Sequence, residues 1–302
     1  MLFGLALTMM LTGCASNAPG AVEPGYWFDG NGNRVDESAV VARFHDADIV
    51  LFGEVHDSQP VHRKQLELLG GLEGPVVLAL EQLDLGGQDA YAINSKVAEL
   101  GARERAKRGG FDFDGWGWSN YRGLFEMATS RQWPLWPLNL PRDKAIAVAM
   151  ARDDGWAEHL QSAEIEAIER FGSIPALPES AQARLVRDLQ QAHCGRIDAA
   201  AARGMSRAQI ARDMLMADAL ARAASRYPAH LVVGVMGNQH ARRDRGVGYW
   251  LDRPEMHSTA DVVAIGMLPV DSFETLSEAA ASYDFVWITE PVERNIDCDT
   301  NS

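Results

Sequence analysis

The chain has 302 residues and a formal net charge of −14, and 47% of its residues are hydrophobic. This length and composition fit one large globular domain or a domain with an insertion. The acidic balance argues against nucleic acid and anionic lipid headgroups as general partners, because like charges repel. The chain has three cysteines, so a metal centre built from thiolates is not expected.

The N-terminus has the pattern of a bacterial lipoprotein leader. Residues 1–13 are almost wholly apolar and uncharged, and Gly13 stands directly before Cys14. We predict a signal peptide over 1–13, cleaved before Cys14, whose thiol takes acyl chains such as palmitate and anchors the chain in a membrane. No Lys or Arg precedes the apolar run, unlike most leaders, which leaves the true start codon open. Ala15 and Ser16 follow the cysteine without an Asp, which favours the outer membrane.

The leader is followed by a predicted tether, a main domain and a short tail. Residues 14–25 are rich in Pro, Gly and Ala and are predicted to form the lipidated tether. The main domain is predicted over 26–295, and 296–302 is predicted to be a loose tail. Cys194 and Cys298 remain after lipidation and could pair in an oxidising compartment, but the sequence does not decide this.

Six short apolar runs are predicted to be strands: Ile49–Phe52, Val76–Leu80, Leu135–Leu138, Leu231–Met236, Val262–Met267 and Phe285–Ile288. Helical spacing appears between them over Val61–Leu69, Gly123–Ser130, Arg142–Arg152 and Ser206–Ser225, the last with Ser206 as its N-cap. About 153–203 has helical patterns but no strand, which indicates a helical insertion. The alternation predicts an α/β fold, a mostly parallel sheet flanked by helices with a smaller helical insertion.

Polar residues follow several of the predicted strands, where ligands bind in an open parallel sheet. The segments are Gly53-Glu54-Val55-His56, then Glu81-Gln82, then Asn139, then Gly237-Asn238-Gln239-His240. His56, Glu81 and His240 are therefore predicted to meet at one sheet edge. Imidazole and carboxylate groups together could hold a divalent metal or act as the general acid and base of an enzyme.

These segments resemble the motifs of the superfamily that contains Tiki proteins, erythromycin esterases and ChaN. The aromatic segment Trp116–Tyr121 narrows the resemblance to the ChaN-type haem-binding lipoproteins. The segments His193-Cys194-Gly195, Gln209-x-x-Arg212-Asp213 and His240-Ala241-Arg242 resemble further stretches of that family. The matches occur in family order from about Leu51 to Leu251.

The resemblance implies an iron-regulated, haem-binding outer-membrane lipoprotein whose homodimer sandwiches ferric haem and ligates the iron through Tyr. Haem and a TonB-dependent haem receptor system are the expected partners, and the periplasmic side is the expected location. Tyr121 is the predicted ligand, because a phenolate is an anionic oxygen donor that suits ferric iron. The other predicted cofactor-binding residues are Trp118, Lys107, Arg108 and His193.

Several alternatives stay open from the residues alone. Tyr121 could be a core tyrosine, and Lys107 and Arg108 could belong to a solvated helix face in which Glu104 pairs with Arg108. His56, His62, His193 and His240 remain as candidate axial histidines. The alternative function is a metal-assisted or Glu/His-assisted hydrolase that uses His56, Glu81 and His240, and a third is a lipoprotein interaction module.

Overall fold

The computed structural model describes residues 22–85, 94, 99–152, 155–172, 177–253 and 260–292. Within them the centre of the molecule is one eight-stranded sheet in the order β2-β1-β8-β7-β3-β6-β4-β5. The strands are β1 Trp27–Asp29, β2 Arg34–Val35, β3 Ile49–Glu54, β4 Val76–Asp84, β5 Leu135–Asn139, β6 Leu231–Gly237, β7 Val262–Pro269 and β8 Phe285–Thr289. The six strands from β3 to β8 are parallel, and β1 pairs antiparallel with both β2 and β8.

Helices cover both faces of the sheet. They are α1 Glu37–Asp46, α2 Gln59–Gly70, α3 Ala102–Arg108, α4 Trp118–Ser130, α5 Arg142–Met150, α6 Ser162–Glu169, α7 Glu179–Ala192, α8 Ala199–Arg226, α9 Asn238–Ala241, α10 Val247–Leu251 and α11 Leu276–Ala280. A π-helical turn occupies Phe113–Gly117 and a 3₁₀ turn Trp156–His159.

Alternate residues of each strand enter opposite cores. In β3, Ile49 and Leu51 pack in the core that contains α8, whereas Val50 and Phe52 pack in the core that contains α1, α2 and α4. Successive side chains of a strand point to opposite faces, so a strand covered on both faces is apolar throughout. This is why the central strands appear in the sequence as continuous apolar runs.

All six predicted strands are present, and the predicted α/β class with a mostly parallel sheet is confirmed. The main difference is in β4, which continues to Asp84, so that Glu81 and Gln82 lie within the strand rather than after it. Its pairing with β5 is irregular between Leu80 and Asp84. The sequence predicts that β4 ends at Leu80, because polar side chains such as Glu81 and Gln82 usually mark the turn after a buried strand.

The predicted N-cap of the long helix is wrong. α8 begins at Ala199, and the Asp198 carboxylate caps it by accepting a 2.8 Å hydrogen bond from the Ala201 amide. Ser206 is buried inside the helix, and its hydroxyl donates to the Arg203 carbonyl oxygen at 2.8 Å. The alanines upstream of Ser206 favour helix strongly, which extends α8 by two turns.

The predicted insertion is helical in its described part. Residues 155–172 and 177–203 contain the 3₁₀ turn, α6, α7 and the start of α8, with no strand among them. The leader, the tether residues up to 21 and the tail lie outside the described residues. None of the helices that the structure describes combines the length and the apolar character needed to cross a bilayer.

Candidate functional site

The carboxyl ends of β3, β6 and β4 form the candidate site. These three strands are neighbours in the sheet, so the residues that end them meet at one edge. Glu54 ends β3, Glu81 lies near the end of β4, and His240 follows β6 in the short helix α9. The structure thus brings His56, Glu81 and His240 to one edge.

Glu54 is the centre of the first group. Its carboxylate is 2% exposed, and Oε1 accepts hydrogen bonds from the Tyr121 hydroxyl at 2.5 Å and from Gln82 Nε2 at 3.1 Å. Oε1 also lies 2.9 Å from His56 Nδ1, and Gln65 Nε2 donates to Oε2 at 3.0 Å. Burial would raise the pKa of Glu54, but the hydrogen bond and charge of His56 outweigh it and lower the pKa. Glu54 is therefore a buried carboxylate held ionised by its donors.

His56 is the member of this group that reaches open space. Its side chain is 42% exposed and lines the large cleft described below, with Nδ1 facing Glu54 and Nε2 on the side of Gly237. Burial lowers its pKa, but the hydrogen bond to Glu54 and the charges of Glu81 and Glu54 raise it to about 9. The ring also packs against Trp116 in a T-shaped arrangement, with 5.0 Å between centroids and 68° between the ring planes.

Two glycines explain the repeated Gly-x-x-His spacing. A Cβ on Gly53 would lie 2.5 Å from Asn238 Oδ1, and a Cβ on Gly237 would lie 3.0 Å from His56 Nε2. The Asn238 amide bonds both the carbonyl oxygen and the amide of Met267, which ties the end of β6 to β7. A Cβ at Gly53 would clash with Asn238 and with the Ile265 carbonyl oxygen, whereas a Cβ at Gly237 would require the His56 ring to shift.

His240 is the centre of a second carboxylate–imidazole pair. Its Nδ1 lies 2.5 Å from Asp213 Oδ1 and its Nε2 lies 3.5 Å from Glu81 Oε1. Arg212 donates to Glu81 Oε1 at 2.6 Å, and the Gly237 amide donates to Glu81 Oε2 at 2.7 Å. Against the effect of burial, the charges of His240, Arg212 and His56 hold the pKa of Glu81 at about 2. Burial raises the pKa of Asp213.

Two clefts open beside these pairs. The large cleft, about 990 Å³, is lined by residues that include His56, Glu81, His193, Arg212, His240, Arg242 and Phe273. The small cleft, about 650 Å³, is lined by residues that include Asp84, Trp116, Leu140, Pro141, Arg142, Ile146 and Arg212. Arg212 lines both clefts, so they are adjacent. Burial, together with Asp143 and Asp112, raises the pKa of Asp84 to about 6.

The structure separates the predicted cofactor-binding residues. Tyr121 has no exposed surface, and burial and the Glu54 charge raise the pKa of its phenol. Trp118 packs in an aromatic cluster with Phe111 and Phe125, away from both cleft linings.

Lys107 and Arg108 also lie outside both cleft linings. Lys107 is exposed on α3, and Arg108 donates a 3.0 Å hydrogen bond to Glu104. This is the arrangement expected if both residues belong to a solvated helix face. Of the predicted cofactor-binding residues, His193 lines the large cleft, on the exposed end of α7. Cys194, next to it, is disulfide-bonded, and Cys298 lies outside the described residues.

Arg212 and Asp213 are the site residues that sequence reasoning missed. They lie in the middle of α8, far along the chain from Glu81. The sequence contains two signals for these residues. Arg212 and Asp213 are charged residues within a long apolar helix segment, and they stand in a motif that carries the family resemblance. Among the described residues, no group of three His, Cys, Asp or Glu side chains is arranged to hold a metal ion, so the divalent metal stays a prediction.

A protein-family model matches residues 40–251, and its description is haem-binding uptake, Tiki superfamily, ChaN. The match covers more than half of the chain and contains both carboxylate–imidazole pairs. The chain belongs to the ChaN family. No curated protein sequence matches the chain significantly.

One solved structure agrees with this fold. The structure described as cofacial haem binding to ChaN of Campylobacter jejuni aligns with a TM-score of 0.68 and 17% identity, covering 86% of this chain and 95% of that one. An erythromycin esterase variant, EreC in its open conformation, aligns with a TM-score of 0.40 and 15% identity over 88% of this chain and 83% of that chain. The first likeness supports the fold, and the second is too distant to support an argument.

Proposed function

We propose that this ChaN-family protein binds haem for iron and haem uptake, in the clefts at the carboxyl edge of the sheet. Family membership over residues 40–251 is the observation that carries the proposal. The Campylobacter jejuni protein of the same fold is described as binding haem cofacially. Binding, rather than catalysis, is the activity that these comparisons favour.

The clefts have two of the features that haem requires. Apolar walls come from Trp116, Leu140 and Ile146 in the small cleft and from Phe273 in the large one. The guanidinium groups of Arg142, Arg212 and Arg242 line the same clefts and suit propionates, although Arg212 also bonds Glu81 and Arg242 also bonds Asp244. These replace Lys107 and Arg108 as our propionate candidates.

The third feature, an iron ligand, does not fit the Tyr121 hydroxyl in this arrangement. The hydroxyl is buried and donates to Glu54, so it faces neither cleft. Ligation of ferric iron by Tyr121 would require that bond to open and the phenol to lose its proton. The direct test is titration of the chain lacking residues 1–14 with haemin, followed by absorption spectroscopy. Stoichiometric binding is expected, and the absence of any spectral change would overturn the proposal.

We further propose that the protein is lipid-anchored through Cys14 in the outer membrane, on its periplasmic side, and receives haem from a TonB-dependent receptor system. The support is the leader pattern and the family role. Labelling of cells with a radioactive fatty acid, comparing the wild type with Cys14→Ser, is expected to mark only the wild type. Membrane fractionation then tests whether the protein is in the outer membrane. Fatty-acid label on both the wild type and Cys14→Ser would contradict the anchor at Cys14.

The proposed homodimer has a candidate contact surface beside the small cleft. Ile146 and Met150 are 48% and 81% exposed, one helical turn apart on α5, and Ile146 lines the small cleft. Exposed apolar side chains near a ligand site favour association. Sedimentation with and without haemin is expected to show a dimer that Met150→Lys weakens, whereas a monomer under both conditions would refute it.

A hydrolase is the second candidate, because both carboxylate–imidazole pairs border the large cleft. A carboxylate that orients an imidazole is the arrangement of general acid–base catalysis. Ester and peptide substrates would be tested with the wild type and with His56→Ala and His240→Ala. Turnover that both variants abolish would support this function, whereas turnover that survives in both would refute it.

A further inference from the structure

The lining of the large cleft comes in part from two segments that are far apart in the chain. The first, which we call the α7 wall, is the end of α7 with its C-cap, Gln191, Ala192 and His193. The second, which we call the C-terminal wall, follows β7 and β8 and includes Phe273 and Val292. Access to the cleft therefore depends on how firmly these two walls are held.

α7 makes a narrow contact with the rest of the molecule. Of its 14 residues, Ala181 and Leu185 are buried, and Leu189 packs partly against the same core. Beyond them the helix is held by an ion pair between Asp188 and the buried Arg245, and the Asp188 side chain is 46% exposed. Solvent weakens such a pair, and an element with few buried residues opens locally at a low cost in free energy.

A disulfide bond restrains the end of this helix. Cys194 directly follows the C-cap His193 and is disulfide-bonded. The amides of Cys194 and Gly195 donate to the carbonyl oxygens of Gln191 and Gln190, at 2.9 and 2.8 Å, which is the Schellman pattern of a helix end. Glycine is the usual residue at the Cys194 position of this pattern, because φ is positive there, and Cys194 has a φ of 53°. A cysteine where glycine is favoured indicates that its sulfur atom is needed.

Cys298 is the partner that the sequence offers. The chain has three cysteines, and Cys14 is the proposed site of lipidation. Cys298 lies outside the described residues, but it follows Val292 of the C-terminal wall by only a few positions. Because each residue extends the chain by at most about 3.5 Å, a short segment keeps Cys298 within reach of the cleft rim.

We propose that Cys194 and Cys298 form a redox latch that ties the α7 wall to the C-terminal wall and so restricts access to the large cleft. A dithiol reductant opens the latch. One of its thiolates attacks the disulfide and breaks the S–S bond, and its second thiol then resolves the mixed disulfide, so that the chain gains two thiols while the dithiol becomes a disulfide. The latch acts in the same way whatever molecule the cleft binds.

The first measurement identifies the bond. Proteolytic digestion of the unreduced full chain, followed by mass spectrometry, is expected to give two peptides joined through Cys194 and Cys298. A bond from Cys194 to Cys14, a bond between two copies of the chain, or two free thiols in the air-oxidised protein would overturn the proposal.

The second measurement uses His240 to report access to the cleft. His240 lines the large cleft and is 5% exposed. Diethyl pyrocarbonate, which modifies imidazoles, is expected to react with His240 about tenfold faster after dithiothreitol treatment, and equally fast in Cys298→Ser without it. His62, which is 4% exposed and outside both cleft linings, is the matched control and is expected to keep its rate.

The controls separate opening of the latch from unfolding. Reoxidation of the wild type is expected to restore the slow rate at His240, and dithiothreitol is expected to have no effect on Cys298→Ser. Equal rates at His240 in the oxidised and reduced wild type would overturn the latch. A parallel increase at His62 would also overturn it, because the disulfide would then stabilise the whole fold rather than one cleft.

Discussion

The two carboxylate–imidazole pairs at the sheet edge use the same chemistry in opposite environments. Glu54 is held by four groups, while its partner His56 is 42% exposed to a cleft. Asp213 and His240 are both buried, and His240 is enclosed between Asp213 and Glu81. One imidazole is therefore open to an external molecule, and the other serves to organise the charges around Glu81.

The largest expected difference between the two pairs is in the free energy of unfolding that is lost when Glu54 or Asp213 is removed. Glu54→Ala leaves several buried donors without an acceptor and is expected to lose about 4 kcal/mol of unfolding free energy, against about 2 kcal/mol for Asp213→Ala. Urea unfolding followed by circular dichroism measures both. Equal losses in the two variants would contradict the view that Glu54 is the more heavily bonded group.

The ionised Glu81 carboxylate is expected to contribute to folding stability, and this contribution is expected to disappear in acid. Its pKa is held at about 2 in the folded protein, below the ordinary value of 4.5. The ionised form thus stabilises the fold above pH 4.5, and that stabilisation is lost as the pH falls towards 2. Glu81→Gln is expected to cost about 3 kcal/mol at pH 7. Urea unfolding at several pH values should show the gap closing in acid, and a gap that stays constant would contradict the prediction.

His56 is expected to show the opposite pH dependence. Its pKa is raised to about 9 from 6.5, so its stabilising contribution is complete below pH 6.5 and is lost as the pH rises through 9. In Glu54→Gln the hydrogen-bonded charge is gone, and the His56 pKa is expected to fall towards its ordinary value. Titration of the ring signals by NMR measures this, and a pKa that stays near 9 in the variant would show that Glu54 is not the main cause.

The smallest expected effect comes from Gly237→Ala. The new Cβ would lie 3.0 Å from His56 Nε2 and 3.8 Å from Glu81 Oε2, so the imidazole must shift. We expect a loss of about 1 kcal/mol and a shift of the His56 ring signals, with those of His240 unchanged. Gly71→Ala, where the Cβ meets nothing closer than 3.6 Å, is the matched control. A change confined to His240 would contradict the placement of His56.

The sequence predicts the sheet well because its central strands are buried on both faces. It does not predict β1 and β2, since strands of three and two residues have too short a pattern. His56, Glu81 and His240 are found because each lies at or near the end of a strand. The bonds that Glu54 makes to Tyr121 and Gln65 are not found, because a sequence does not show where a side chain points.

The Tyr121 prediction illustrates the same limit. The aromatic segment suggests a haem ligand, and the structure places the Tyr121 hydroxyl 2.5 Å from the buried carboxylate of Glu54. Whether a phenol faces a cavity or a buried carboxylate depends on the packing of α4 against the sheet. That packing involves residues far apart in the chain, and the local pattern carries no information about it.

The two edge strands of the sheet bear on how two copies can associate. One edge is formed by β5. Among the described strands β5 is the outermost there, five residues long, and it contains Pro137, which has no amide hydrogen to donate. The opposite edge, β2, has two residues. Neither edge is a good template for strand addition from another molecule. Edge strands of this kind favour contact between two copies through side-chain surfaces over backbone pairing.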